Sequence, residues 1–241
     1  MEIKFQCLHS GKCCIKVYTQ ISLTGGDIVR LSKHQNMSIK ELFDQGYIGL
    51  KPFFIDENVF ETEIGLTIPC KFRKDKRCIV YQTRPLNCRL FPYWLITEVP
   101  KERLKDFVDE SYECIHRINL SEATRKKYDQ YKKRIVRILE EEAELTDDIL
   151  KKHNLIRKIN ISTHQDYQQL IKQTENLKRS LSEVEFEKQK DELKIGFAIQ
   201  IIQESIRQDI GKIIEEEIYS NNLINKVASI EKIKEIENLK N

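Results

Sequence analysis

Between residues 119 and 241, apolar positions recur every three or four residues through charge-rich text. Tyr128, Tyr131, Ile135, Ile138 and Leu145 fall on one helical face, and Ile199, Ile202, Ile206, Ile210 and Ile213 fall on another. Val227, Ile230, Ile233, Ile236 and Leu239 form a last stripe with charges between them. Ser180 and Ser182 stand where caps for the middle helix are expected. Such stripes must be covered. Packing into a helical bundle, or onto the first half of the chain, covers them most simply. A protein partner or a second copy is the alternative.

Upstream the pattern changes. Thr24-x-x-Asp27 and Ser38-x-x-Glu41 have capping-box spacing and predict short helices at about 25–34 and 39–46. Within residues 51–68, aromatic and β-branched residues flank Asp56-Glu57-Asn58 and predict a hairpin. Thr83-Arg84-Pro85 suits a helix start, where proline is tolerated. All five prolines lie within the first 100 residues, six of the eight glycines lie before residue 66, and all seven cysteines lie between 7 and 114. Beyond about residue 118 there is no proline, and only Gly196 and Gly211 remain, which permits long helices. The expected fold class is therefore α+β: a small irregular Cys-rich metal-binding domain over 1–118, then a mainly α-helical region over 119–241. No solenoid repeat is evident.

A chain of 241 residues with 40% hydrophobic and 33% charged residues can bury a core without covalent staples. The net charge of +3 comes from interleaved signs, which gives no reason to expect nucleic acid as a partner. MEIKFQC lacks the features of a signal peptide. The most apolar run, IGFAIQII at 195–202, is far shorter than the roughly 20 residues of a membrane span. The expected location is the cytoplasm, where thiols stay reduced and clustered cysteines bind metal or do chemistry. The odd count of seven also suits a disulfide framework poorly.

The cysteines fall in two groups and a singleton. QCLHSGKCC at 6–14 holds Cys7, Cys13 and Cys14. PCKFRKDKRCIVYQTRPLNCRLFP at 69–92 holds Cys70, Cys78 and Cys88, and Cys114 stands alone. Soft thiolate sulfur is the ligand that zinc and iron–sulfur clusters select. Adjacent cysteines do not readily bridge each other but can ligate one centre from a turn, and Gly11 allows that bend. A tetrathiolate zinc site carries a formal charge of about −2 and needs nearby donors. Arg84, Arg89, Lys71 and backbone amides are candidates. Arg84, fixed before Pro85, suits a structural hydrogen-bond role, whereas Arg89 suits a solvated surface position equally well. Gly25-Gly26 is too little for a nucleotide loop and reads as a turn. A redox pair would want C-x-x-C, which is absent, and a nucleophilic cysteine would want a positioned base.

FQCLHSGKCC, LTGGDI at 23–28, PC at 69–70 and CIVYQTRPLNCRLFPY at 78–93 together resemble the YkgJ-type CxxCxxCC cysteine-cluster family, described as zinc- or iron-chelating proteins. The resemblance covers about residues 5–117. It implies metal-ligand roles for Cys7, Cys13, Cys14, Cys70, Cys78 and Cys88, and Cys114 looks like the family's late cysteine. The cofactor implied is zinc or an iron–sulfur cluster, 4Fe–4S if iron. The second cysteine of the family's first motif is Ser10 here, so two tetrathiolate sites would need a shared or non-Cys ligand. His9 and His116 are the nearest substitutes, although each reads more simply as an ordinary histidine. The pattern is also similar to that of flagellin lysine N-methylases, which use S-adenosylmethionine and carry an iron–sulfur cluster. Three functions are thus expected to compete. They are a metal-binding protein in metal handling or partner assembly, such a methyltransferase, and an interaction scaffold with a purely structural metal site whose helical half docks a partner.

Overall fold

The computed structural model describes residues 2–8, 10–15, 21–104, 108 and 112–240, and the side chain of Lys188 lies outside that description. Helix accounts for 61% of the chain and strand for 12%, with the main strands in the N-terminal region, so the fold is α+β.

Both capping boxes form. Thr24 caps α1 (Gly25–Gln35) by accepting from the Asp27 amide while the Asp27 carboxylate accepts from the Thr24 amide. Ser38 and Glu41 do the same for α2 (Ile39–Asp44). Each box satisfies two amides that a helix start otherwise leaves without partners. The hairpin follows as β1 (Ile48–Asp56) and β2 (Val59–Leu66), antiparallel with Ile48 opposite Leu66. Pro52 sits in β1, an edge strand, where its missing N–H breaks no inner ladder.

A smaller hairpin pairs β3 (Arg73–Lys74) with β4 (Arg77–Cys78). Its turn residues Asp75 and Lys76 both have positive φ, 46° and 64°, matching the twist of a two-residue hairpin turn. Pro85 then leads into α3 (Leu86–Leu90), followed by α4 (Tyr93–Glu98) and α5 (Glu113–His116).

The second half opens on α6 (Glu122–Lys152), capped by Ser121. Its buried face carries Tyr128, Tyr131, Ile135 and Ile138, but continues through Glu142 and Thr146 to Ile149. The predicted Leu145 lies beside that line, half-buried. Next comes β5 (Lys158–Asn160), which pairs with β2 and completes a β1-β2-β5 sheet. The remaining helices are α7 (Tyr167–Ser180), α8 (Glu183–Ser205), α9 (Ile210–Ser220), α10 (Leu223–Lys226) and α11 (Ile230–Glu237). Ser182 occupies the cap position of α8, but its hydroxyl bonds Glu185 rather than a backbone amide.

The isoleucine stripe from 199 to 213 is divided. Ile206 is extended, and Asp209 starts α9 by accepting from the Lys212 amide. The break keeps Ile206 buried and turns α9 onto α2. There a Cβ on Gly211 would lie only 3.0 Å from Phe43 and 3.1 Å from the backbone of Lys40.

Two hydrophobic cores result. One joins α1, α2, the three-stranded sheet and Ile149, Ile201, Ile202, Ile214 and Ile218. The other joins α3, α4 and the first half of α6 with Ile233 and Ile236 of α11. Each draws on both sides of residue 118. Along α6 they are separated by Glu142 and Thr146.

Candidate metal centre

The thiols arrive from separate segments that backbone contacts pull together. Cys13 and Cys14 sit in a 3-10 turn (Lys12–Cys14), entered through Gly11 at φ 67°. A Cβ on Gly11 would fall 2.3 Å from Arg73 Nε and 3.1 Å from the Lys76 carbonyl, so only glycine lets this turn lie against the β3–β4 hairpin. The Cys70 amide donates to the Cys14 carbonyl at 2.8 Å. Cys78 ends β4, Cys88 lies within α3 and Cys114 within α5. Paired backbone hydrogen bonds between Ile3 and Asn119, at 2.7 and 2.9 Å, lay the segment carrying Cys7 beside the one that follows Cys114.

All seven cysteines are free thiols and none is fully exposed. Cys13 and Cys14 Sγ are 3.8 Å apart. Their mutual contact, and then burial, push Cys13 well above the ordinary thiol range. Cys14 is lowered by Cys13, but contact with Cys70 and burial outweigh this and push it up to about 12. Burial raises Cys78, which also feels Cys13 and Cys7. Burial raises Cys88 furthest from solvent behaviour, reinforced by Cys13, Cys14 and Cys78. Burial raises Cys114 too, with Cys7 and Cys13 adding to it. Each thiol therefore senses at least one other, and the set is continuous. Without a cation such thiols stay protonated because neighbouring thiolates repel. A bound metal reverses that balance, since it takes the deprotonated form.

The donor chemistry fits zinc or an iron–sulfur cluster. Among the described residues, however, no group of three or more His, Cys, Asp or Glu side chains is drawn together in a metal-holding arrangement. Closing a site thus requires side-chain movement towards the ion. Ser10 and His116 are exposed, and His9 lies outside the described residues.

The basic residues divide. Lys71 turns away to the Gln45 carbonyl, 2.5 Å, over the ring of Tyr47. Arg89, as compatible with a solvated position as with a structural one on sequence, is 1% exposed. It donates to the carbonyls of Arg84 and Gln82 and pairs with Glu237 at 2.9 Å. Arg84 stacks on Tyr81, 4.0 Å from the ring centroid, and reaches Glu237 at 3.2 Å.

Sequence reasoning missed a buried ionic group beside Cys88. Arg30 Nη2 pairs with Asp27 at 2.7 Å and Arg30 Nη1 with Glu142 at 2.7 Å. Asp27 also accepts from the Leu86 amide, two residues before Cys88. Glu142 accepts from the Thr24 hydroxyl and the Ala228 amide, while Arg30 donates to the Ala228 carbonyl. The signals were Gly25-Gly26 and a carboxylate on the apolar stripe of α6. Gly26 is small because the Glu142 carboxylate lies where its Cβ would be, at 2.1 Å.

Comparison with protein families places residues 6–115 in a match to CxxCxxCC, described as a "putative zinc- or iron-chelating domain". The matched stretch contains all seven cysteines. No solved structure matches the chain. No described helix is long and apolar enough to cross a membrane.

Proposed function

We propose, for a chain whose residues 6–115 match the CxxCxxCC family, that it is a metal-binding protein whose cysteines hold zinc or an iron–sulfur cluster, 4Fe–4S if iron. The ligands are drawn from Cys7, Cys13, Cys14, Cys70, Cys78, Cys88 and Cys114. Its role is metal handling or assembly of a partner, with residues 1–118 supplying the ligands and 119–241 clasping them. The observation that carries the reading is the convergence of seven reduced thiols from segments more than one hundred residues apart, each within electrostatic reach of another.

Seven thiolates complete one four-ligand site and leave three. This suits either a single centre or a second site finished by another donor. In either case metal affinity becomes folding free energy, because an unfolded chain cannot present the set.

Cys78→Ser and Cys88→Ser test the reading. Each is expected to lose bound metal and lower the melting temperature together, whereas Lys74→Ser on the same hairpin changes neither. Unchanged metal content in both cysteine variants would overturn the assignment.

A further inference from the structure

Charge beside the thiols does not balance. Arg84, Arg89 and Lys240 converge on the one carboxylate of Glu237, at 3.2, 2.9 and 3.3 Å. Their side chains are only 13%, 1% and 14% exposed. Among the described residues no other carboxylate pairs with these three cations. Three positive charges against one negative leave an excess of two, held out of water. Burying unbalanced charge is costly unless an anion stands near.

Lys240 spreads part of its charge over the rings of Tyr93 and Tyr131, at 4.8 and 4.3 Å. Arg89 spends its remaining donors on backbone carbonyls. Arg84 is different. It is fixed between Tyr81 and Glu237, yet its Nε is buried with no hydrogen-bond partner. Its charge reaches Cys13 and Cys78. The groups beside it that can become anionic, and are not already neutralised, are thiols.

We propose that Arg84 is a positioning residue for the metal centre, holding a fixed positive charge against the thiolates while Glu237 of α11 competes for it. This rests on the reading that the cysteines bind metal. It makes the C-terminal helix a determinant of affinity at a site whose ligands lie in the first half of the chain. Removing the Arg84 charge exposes thiolate repulsion. Neutralising Glu237 releases Arg84 wholly to the thiolates.

The test uses full-length protein, stripped of metal and reduced, with zinc as the probe in competition against a chromogenic chelator. A cobalt titration reports the thiolate charge-transfer band as a check on coordination. Arg84→Gln is expected to weaken zinc binding about tenfold or more, Arg84→Lys to stay within about threefold, and Glu237→Gln to tighten binding about threefold, as a single charge at intermediate dielectric allows. Equal losses for Arg84→Gln and Arg84→Lys, or weaker binding in Glu237→Gln, would mean a packing role and overturn the proposal. Should Arg84→Gln lose the helical circular-dichroism signal, the other two variants decide. Wild-type protein that binds zinc with all three variants unchanged sinks this inference alone. Wild-type protein that binds no zinc sinks it together with the metal reading.

Discussion

At Gly26 a methyl group has no space, because the Glu142 carboxylate occupies it and is held there by Arg30, Thr24 and the Ala228 amide. Gly26→Ala must displace a buried, fully engaged carboxylate and is expected to cost about 2–4 kcal/mol, read from urea denaturation. Glu142→Ala leaves Arg30 buried beside Asp27 alone and is expected to cost about 3–5 kcal/mol. An effect under about 1 kcal/mol in both would show that the ion group is not closed as described. Gly11→Ala meets a positive φ and the Arg73 side chain at once. It should therefore weaken metal binding more than overall stability, since the turn it distorts carries Cys13 and Cys14.

Among the elements, those specified by neighbours in sequence were legible. The capping boxes of α1 and α2 need only four residues each, and the β1–β2 hairpin needs only its alternation and turn. Elements decided by distant partners were not. β5 is three residues long and is a strand only because Val59 to Glu61 offer a free edge. The interruption at Ile206 is invisible because isoleucine spacing runs straight through it. What ends α8 is the competing cap at Asp209 and the close seat of Gly211 on α2. The ends of α6 and α9 meet at Glu217, which accepts from Lys152 and His153, each of which lowers its pKa, to about 2 overall. A depressed carboxylate stabilises the fold above its unfolded pKa near 4.5 and loses that contribution as pH falls towards about 2. The melting-temperature gap between wild type and Glu217→Gln should therefore shrink over that interval, and a gap constant from pH 6 to about 2 would contradict the contact.

For the molecule as a whole, the change in composition near residue 118 was plain in the text, but the way the cores cross it was not. Glu142 reads as a flaw in an apolar stripe until Arg30, 112 residues away, is placed against it. Glu237 reads as an ordinary helix charge until Arg84 and Arg89 are found on it. The cysteine set was legible by residue type and spacing, since few chemistries other than metal binding call for seven reduced thiols in this order. Which thiols group together is set by side-chain positions that spacing does not encode. The cores also make metal binding and C-terminal packing parts of one equilibrium, because α3, which carries Cys88, shares its core with α11.

The most direct measurement is the metal and acid-labile sulfide content of the full-length chain purified without oxygen, with its visible spectrum. The account predicts either stoichiometric zinc in a colourless protein, or iron with matching sulfide and a broad visible absorbance. A folded, monodisperse protein free of both metals, which takes up neither on reconstitution, would contradict it.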